Sequence, residues 1–171
     1  MRFMTSDECR AWAETMLIPF DANGRLLRPV PGWHHVKRDV PPAHAQLTWF
    51  CRHVERSLQP RTACLLWVTD WGIWEENLHL YYRLRQSYGD SRLLHEAPGH
   101  YFLDYEGPDL ISFLEVAILC GWDAHLLPVT GYARAFVSHD EYVDFAADPS
   151  NKAIADAFAQ DLSVSPKSGA A

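Results

Sequence analysis

Four side chains offer the best material for chemistry in this chain: Asp70, Asp104, His95 and His100. Asp70 follows an apolar run and Asp104 lies in a later one, with Glu106 just beyond. Two carboxylates at strand ends make a cation or general-base site if parallel strands bring them to one edge of a sheet. In an antiparallel arrangement they fall at opposite ends, and each caps a nearby loop amide, as aspartates commonly do. His95 and His100 flank Ala97-Pro98-Gly99, a Pro-Gly pair suited to a type II turn. Residues flanking a hairpin turn face each other across the two strands, so with Glu96 they would form a pH-sensitive or metal-binding cluster. The plainer reading is a solvated hairpin tip.

Other histidines carry less. His34-His35 stands in a proline-rich stretch, and adjacent histidines point different ways, so metal binding there needs ligands from elsewhere. His139 falls in the first turn of an expected helix, where a cationic imidazole is disfavoured, which makes it a neutral polar contact. No Gly-rich phosphate loop, GxSxG, HExxH or zinc-spaced Cys/His set is present, so no motif calls for a cofactor or a metal.

Aromatic residues form a second theme. Asp70-Trp71-Gly72-Ile73-Trp74 crowds two tryptophans at an element junction, and Trp33 stands in the proline-rich stretch. Exposed, Trp71, Trp74 and Trp33 would be interface anchors. Buried, they plug the end of a core. Tyr101 and Tyr105 share one side of an expected strand, as stacking residues do on an RNA-recognition sheet. The chain is acidic and lacks the basic RNP pattern, which argues against nucleic acid.

The elements that would position these groups follow from pattern. Ala63–Thr69 is an unbroken apolar strand, which implies burial on both faces. A helix follows from about Glu75 to Tyr88, with Gly89 behind it. Arg92–Glu96 and His100–Tyr105 form a hairpin, and Gly107-Pro108-Asp109 opens the most apolar helix. Asp123–Pro128 is the fourth strand and Arg134–Val137 the fifth. Ser138 and Glu141 are spaced as a capping box for a short helix over Tyr142–Ala146, and a last helix runs from about Ser150 to Leu162.

Before this core lie two amphipathic helices. The first is capped by Thr5 or Ser6, with Thr5-x-x-Glu8 as a capping box. The second opens at Pro41-Pro42 and ends at Gln59-Pro60. Residues 29–42, with four prolines, read as a connecting loop.

The central order is βαββαβ, a ferredoxin-like α+β sandwich with extra N- and C-terminal helices. Its two crossover helices would cover one face of the sheet and the early helices the other. The alternative is a three-layer α/β fold with a mostly parallel sheet, in which 92–96 is loop.

Bulk properties bound the function. At 171 residues with 48% apolar side chains, residues 1–162 suit one domain, and 163–171 read as a disordered tail. Cys9, Cys51, Cys64 and Cys120 lack CxxC spacing and read as reduced core thiols, placing the protein in the cytoplasm. A net charge of −7 works against nucleic acid and anionic membranes. No stretch reaches the length of a membrane span.

Two functional readings emerge. One is a non-catalytic acidic module that binds another protein, as immunity and adaptor proteins of this size and charge do. The other is a small-molecule- or metal-binding enzyme with a pocket near Asp70, Asp104 and the His95/His100 hairpin. Self-association into a homodimer through an exposed edge at Arg134–Val137 is compatible with either.

Overall fold

The apolar run does seed the sheet. The computed structural model describes residues 1–58, 62–72 and 78–161. Among them the strands are β1 (Arg2–Met4), β2 (His34–Asp39), β3 (Cys64–Asp70), β4 (Gly99–Phe102), β5 (Asp123–Pro128), β6 (Ala133–Ser138) and β7 (Tyr142–Ala147). The helices are α1 (Ser6–Thr15), α2 (His44–Ser57), α3 (Leu78–Ser87), α4 (Gly107–Leu119) and α5 (Lys152–Asp161). The strands form one open antiparallel sheet in the order β1-β4-β3-β5-β6-β7-β2. That order excludes the parallel alternative.

β3 pairs with β4 on one side and β5 on the other. Side chains alternate along it. Cys64, Leu66 and Val68 enter the larger core, while Leu65 and Trp67 enter a smaller one on the opposite face. The larger core lies beneath α2, α4 and α5, where Phe145 of β7 stacks on Phe158 of α5 at 4.7 Å. Burying each such ring contributes about 1.5–3 kcal/mol.

The opposite face is covered less evenly. α1 begins with the expected capping box, Thr5 Oγ1 accepting from Glu8 N at 3.2 Å and Glu8 Oε2 accepting from Thr5 N at 2.7 Å. Cys9 and Ala13 press it onto Met4, Leu65 and Trp67. The approach is so close that a Cβ on Gly99 would sit 2.1 Å from Cys9 Sγ, so β4 needs glycine there. Beyond α1 this face is roofed by the chain from Ile18 to Leu26, with Phe20 bridged to Leu26. The expected cover by both early helices is therefore corrected: α2 lies with the crossover helices, because its apolar face meets α4 and α5.

Four local expectations are corrected as well. Residues 92–96 do not form a strand; Leu94–Glu96 is a 3-10 turn in which Glu96 Oε2 accepts from Leu93 N at 2.7 Å. β1 takes the edge place beside β4 instead. The ferredoxin-like order thus lacks its second strand, and the N-terminus substitutes for it.

Residues 142–147 are a strand, not a helix. Ser138 and Tyr142 pair across the loop 139–141, and Glu141 adopts φ 60, the three-residue hairpin with a left-handed last residue. Residues 34–39 form an edge strand because the prolines bracket it rather than interrupt it. β6 is interior, between β5 and β7, so Arg134–Val137 offers no edge for self-association.

The expected tail at 163–171, the helix start at Glu75 and the helix end at Gln59-Pro60 lie outside the described residues. All four cysteines are free and buried. Among the described residues no helix is long and apolar enough to cross a membrane.

Candidate functional site

Where the cover over the second sheet face thins, a cleft of about 580 Å³ opens. Its floor comes from three neighbouring strands: Trp67 and Thr69 of β3, His125 of β5 and Phe136 of β6. Alternation puts these on one face, and the register sets Trp67 opposite His125 and His125 opposite Phe136. One wall carries Arg10 of α1 with Arg25 and Arg28 of the following segment. Another carries Trp71, His95 and Pro98, and the rim holds Asp70 and Asp123.

The cationic wall is built by a tight turn. Asp21 Oδ1 accepts from Asn23 N and Arg25 N at 2.8 and 2.9 Å, and buried Leu26 anchors the segment. Arg10 Nη2 donates to Gly24 O at 2.9 Å, and the Arg28 guanidinium lies 3.3 Å over the Phe136 ring. Farther along, the imidazole of His35 ties this segment to the sheet, its Nδ1 3.1 Å from the Asp144 carboxylate and its Nε2 accepting from Val30 N at 3.2 Å. Among the described residues none of the Arg10, Arg25 and Arg28 guanidiniums is in an ion pair.

His125 is 7% exposed, packs tilted against the Phe136 ring at 4.9 Å, and has no hydrogen-bond partner among the described residues. Burial, then the cations of Arg28 and Arg134, push its pKa down to about 3. It is a neutral imidazole, offering one donor and one acceptor.

The rim is acidic. Asp70 and Asp123 are paired across β3 and β5. Asp70 Oδ1 accepts from Gly72 N at 3.0 Å, and Gly72 turns the chain at φ +64, where an added Cβ would sit 3.1 Å from Gly121 O. Asp123 Oδ1 accepts from His139 N at 2.8 Å and lies 2.9 Å from His139 Nδ1. That hydrogen bond to Asp123, with the charge behind it, raises the exposed His139 imidazole. The expectation of a neutral His139 at a helix start is corrected: it sits in the β6–β7 hairpin loop beside a carboxylate.

The sequence-expected site residues divide. Asp70, His95 and Trp71 meet at the cleft. Asp104 does not: β3 pairs Cys64 with Phe102, which puts Asp104 beyond the far end of the sheet, roughly 20 Å or more from Asp70. His100 does not face His95. It is fully buried on the other face, where Tyr81 Oη donates to its Nε2 and its Nδ1 lies 3.3 Å from Leu66 O.

Trp71 is half-buried, its ring edge-on to Trp122 at 4.9 Å. Trp33 is half-buried beneath the Arg134 guanidinium at 4.9 Å, beside a separate cavity of about 50 Å³. Trp74 lies outside the described residues. Tyr101 is covered by Trp12 of α1 at 6.1 Å while Tyr105 is exposed beyond the strand, so the two share no open stacking face. His34 and His35 point to opposite faces of β2, His34 Nε2 lying 3.0 Å from Asp156 Oδ1.

Sequence reasoning missed Arg10, Arg25, Arg28, Asp123 and His125. The one local signal was His125 itself, an imidazole at an inward position of an apolar strand. Among the described residues no group of three or more His, Cys, Asp or Glu is placed to hold a metal ion. Neither Ser6 nor Thr69 in the cleft is hydrogen-bonded to a histidine; Thr69 Oγ1 donates to Asp123 O at 3.4 Å. The arrangement is that of a binding site: a neutral, partner-free imidazole on the floor, cations on one side and carboxylates on the other. Comparison with known proteins found no matching family model, curated protein or solved structure.

Proposed function

We propose that this protein binds a small anionic molecule in the cleft between α1, the 24–28 segment and strands β3, β5 and β6. The observation that carries the reading is His125, which is buried at the cleft floor yet has no hydrogen-bond partner among the described residues. Its ring nitrogens are not among the sealed, unpartnered polar atoms of the core, so they reach the cleft and can bond a ligand there. The cleft volume falls in the range of small-molecule pockets. Three guanidiniums that form no ion pair among the described residues, and whose planar forks match phosphate and carboxylate oxygens, supply the counter-charge.

A thermal-shift screen with inorganic phosphate, pyrophosphate, nucleotides, sugar phosphates and dicarboxylates tests it. An anion that binds the native state raises the melting temperature, by an amount that shrinks in Arg28→Gln and His125→Ala. No shift with any anion overturns the reading.

The protein-binding reading keeps one supporting observation, in a different place. Tyr105 is 74% exposed and stands with exposed Leu103 and Tyr88 around the start of α4. If that patch is an interface, Tyr105→Asp abolishes capture of a partner and leaves anion binding intact.

A further inference from the structure

We infer that the ligand is a zwitterion, with its anionic end on the arginine wall and a basic amine at the rim between Asp70 and Asp123. This rests on the reading of the cleft as an anion site and goes beyond it by assigning the opposite end. Asp70 and Asp123 are partners across the bulge that shifts the β3–β5 register after Val68, and both line the cleft; one imidazole, His139, faces the two carboxylates from the hairpin loop. In each carboxylate Oδ1 takes the bonds: Gly72 N on Asp70, His139 on Asp123. Among the described residues the second oxygen of each accepts no hydrogen bond and is available to an ammonium.

The buried imidazole links the two ends. His125 is two residues from Asp123 on the same face of β5, and its other neighbour is Phe136, over which Arg28 lies. Two residues of strand rise plus one strand spacing put the backbones of Asp123 and Phe136 roughly 7–9 Å apart, and Arg28 lies over the Phe136 ring. The ligand therefore carries its charges well apart. An α-amino acid, whose amine and carboxylate leave one carbon, is too short. An aminoalkyl phosphate with a four-carbon chain, or an extended dipeptide, has the required span. Between them, His125 donates to or accepts from a polar group in the linker.

The experiment compares butyl phosphate with 4-aminobutyl phosphate by isothermal titration calorimetry on the full chain and on Asp70→Asn, Asp123→Asn and Arg28→Gln. Both Asn variants keep an Oδ1 that accepts the existing loop bonds, so folding is preserved. In the unaltered protein the amine should tighten binding about fivefold, the upper end for a partly exposed charge pair. Each Asn variant should lose most of that gain while holding butyl phosphate as well or better, and Arg28→Gln should weaken both probes. If both phosphates bind equally, or if the gain survives in the double Asn variant, the zwitterion inference falls and the anion site stands. If neither probe binds, both fall.

Discussion

His100 and His125 are the same side chain in nearly the same state, and they do opposite things. Both are buried, both are pushed down to about 3, and burial is the largest cause for each. His100 faces the helix-covered side of the sheet, takes the Tyr81 hydroxyl on one nitrogen and gives the other to Leu66 O, and packs against Phe3 and Phe113. His125 faces the thinly covered side, touches one ring, and bonds nothing among the described residues. Depth and a depressed pKa therefore do not separate a structural histidine from a candidate binding histidine. The count of satisfied nitrogens does.

The sharpest way to break the comparison is truncation. His100→Ala should destabilise by about 3 kcal/mol or more, since it opens a cavity among aromatics and strands the Tyr81 hydroxyl. Urea unfolding would show this, and a loss below about 1 kcal/mol would mean that the buried network is not structural. Next in size is the tight approach over the same strand. Gly99→Ala should cost about 1–3 kcal/mol by forcing Cys9 away, and Cys9→Ala in the same chain should restore part of it.

Acid sharpens the comparison further. An imidazole with a lowered folded pKa contributes stability that is complete above the unfolded value near 6.5 and is lost as pH falls toward 3. Each of the two sites adds a slope of up to about 1.4 kcal/mol per pH unit in that window. His139, raised by Asp123, works in the opposite sense and is exposed, so it offsets little. Unfolding free energies at pH 7 and pH 5 should therefore differ by less in His125→Gln than in the unaltered protein. Equal differences would mean that His125 is not buried in solution.

The smallest expected effect is at neutral pH, where His125→Gln should change stability by less than about 1 kcal/mol, because it breaks no hydrogen bond. The same variant should bind anions measurably more weakly. A large loss of stability instead would make His125 a second His100.

The elements legible in sequence were those whose cues lie within a few residues. Thr5 and Glu8 announce α1 through a capping box that forms as spaced. Ala63–Thr69 announces the two-faced burial of β3, and the apolar run after Gly107 announces α4. The same local logic misled at Ser138–Glu141, where the spacing of a capping box coincides with that of a hairpin loop. It is pairing with β6 and β2 that makes 142–147 a strand. It also misled at 92–96, because the three-residue β1 at the other end of the chain takes the edge beside β4.

The candidate site was half visible. Asp70, His95 and Trp71 were singled out from the sequence, while Asp104 and His100 were paired with them through a hairpin that does not form.

What the sequence alone determined, then, is the helices α1, α2, α4 and α5 and the burial of its central strand, since side-chain periodicity and caps act over three or four residues. What the tertiary structure decided is the cleft. Arg10, Arg28, Asp70, His95 and His125 come from five separate segments, and they meet because antiparallel pairing sets the face of each strand while α1 and the 24–28 turn leave part of one face uncovered.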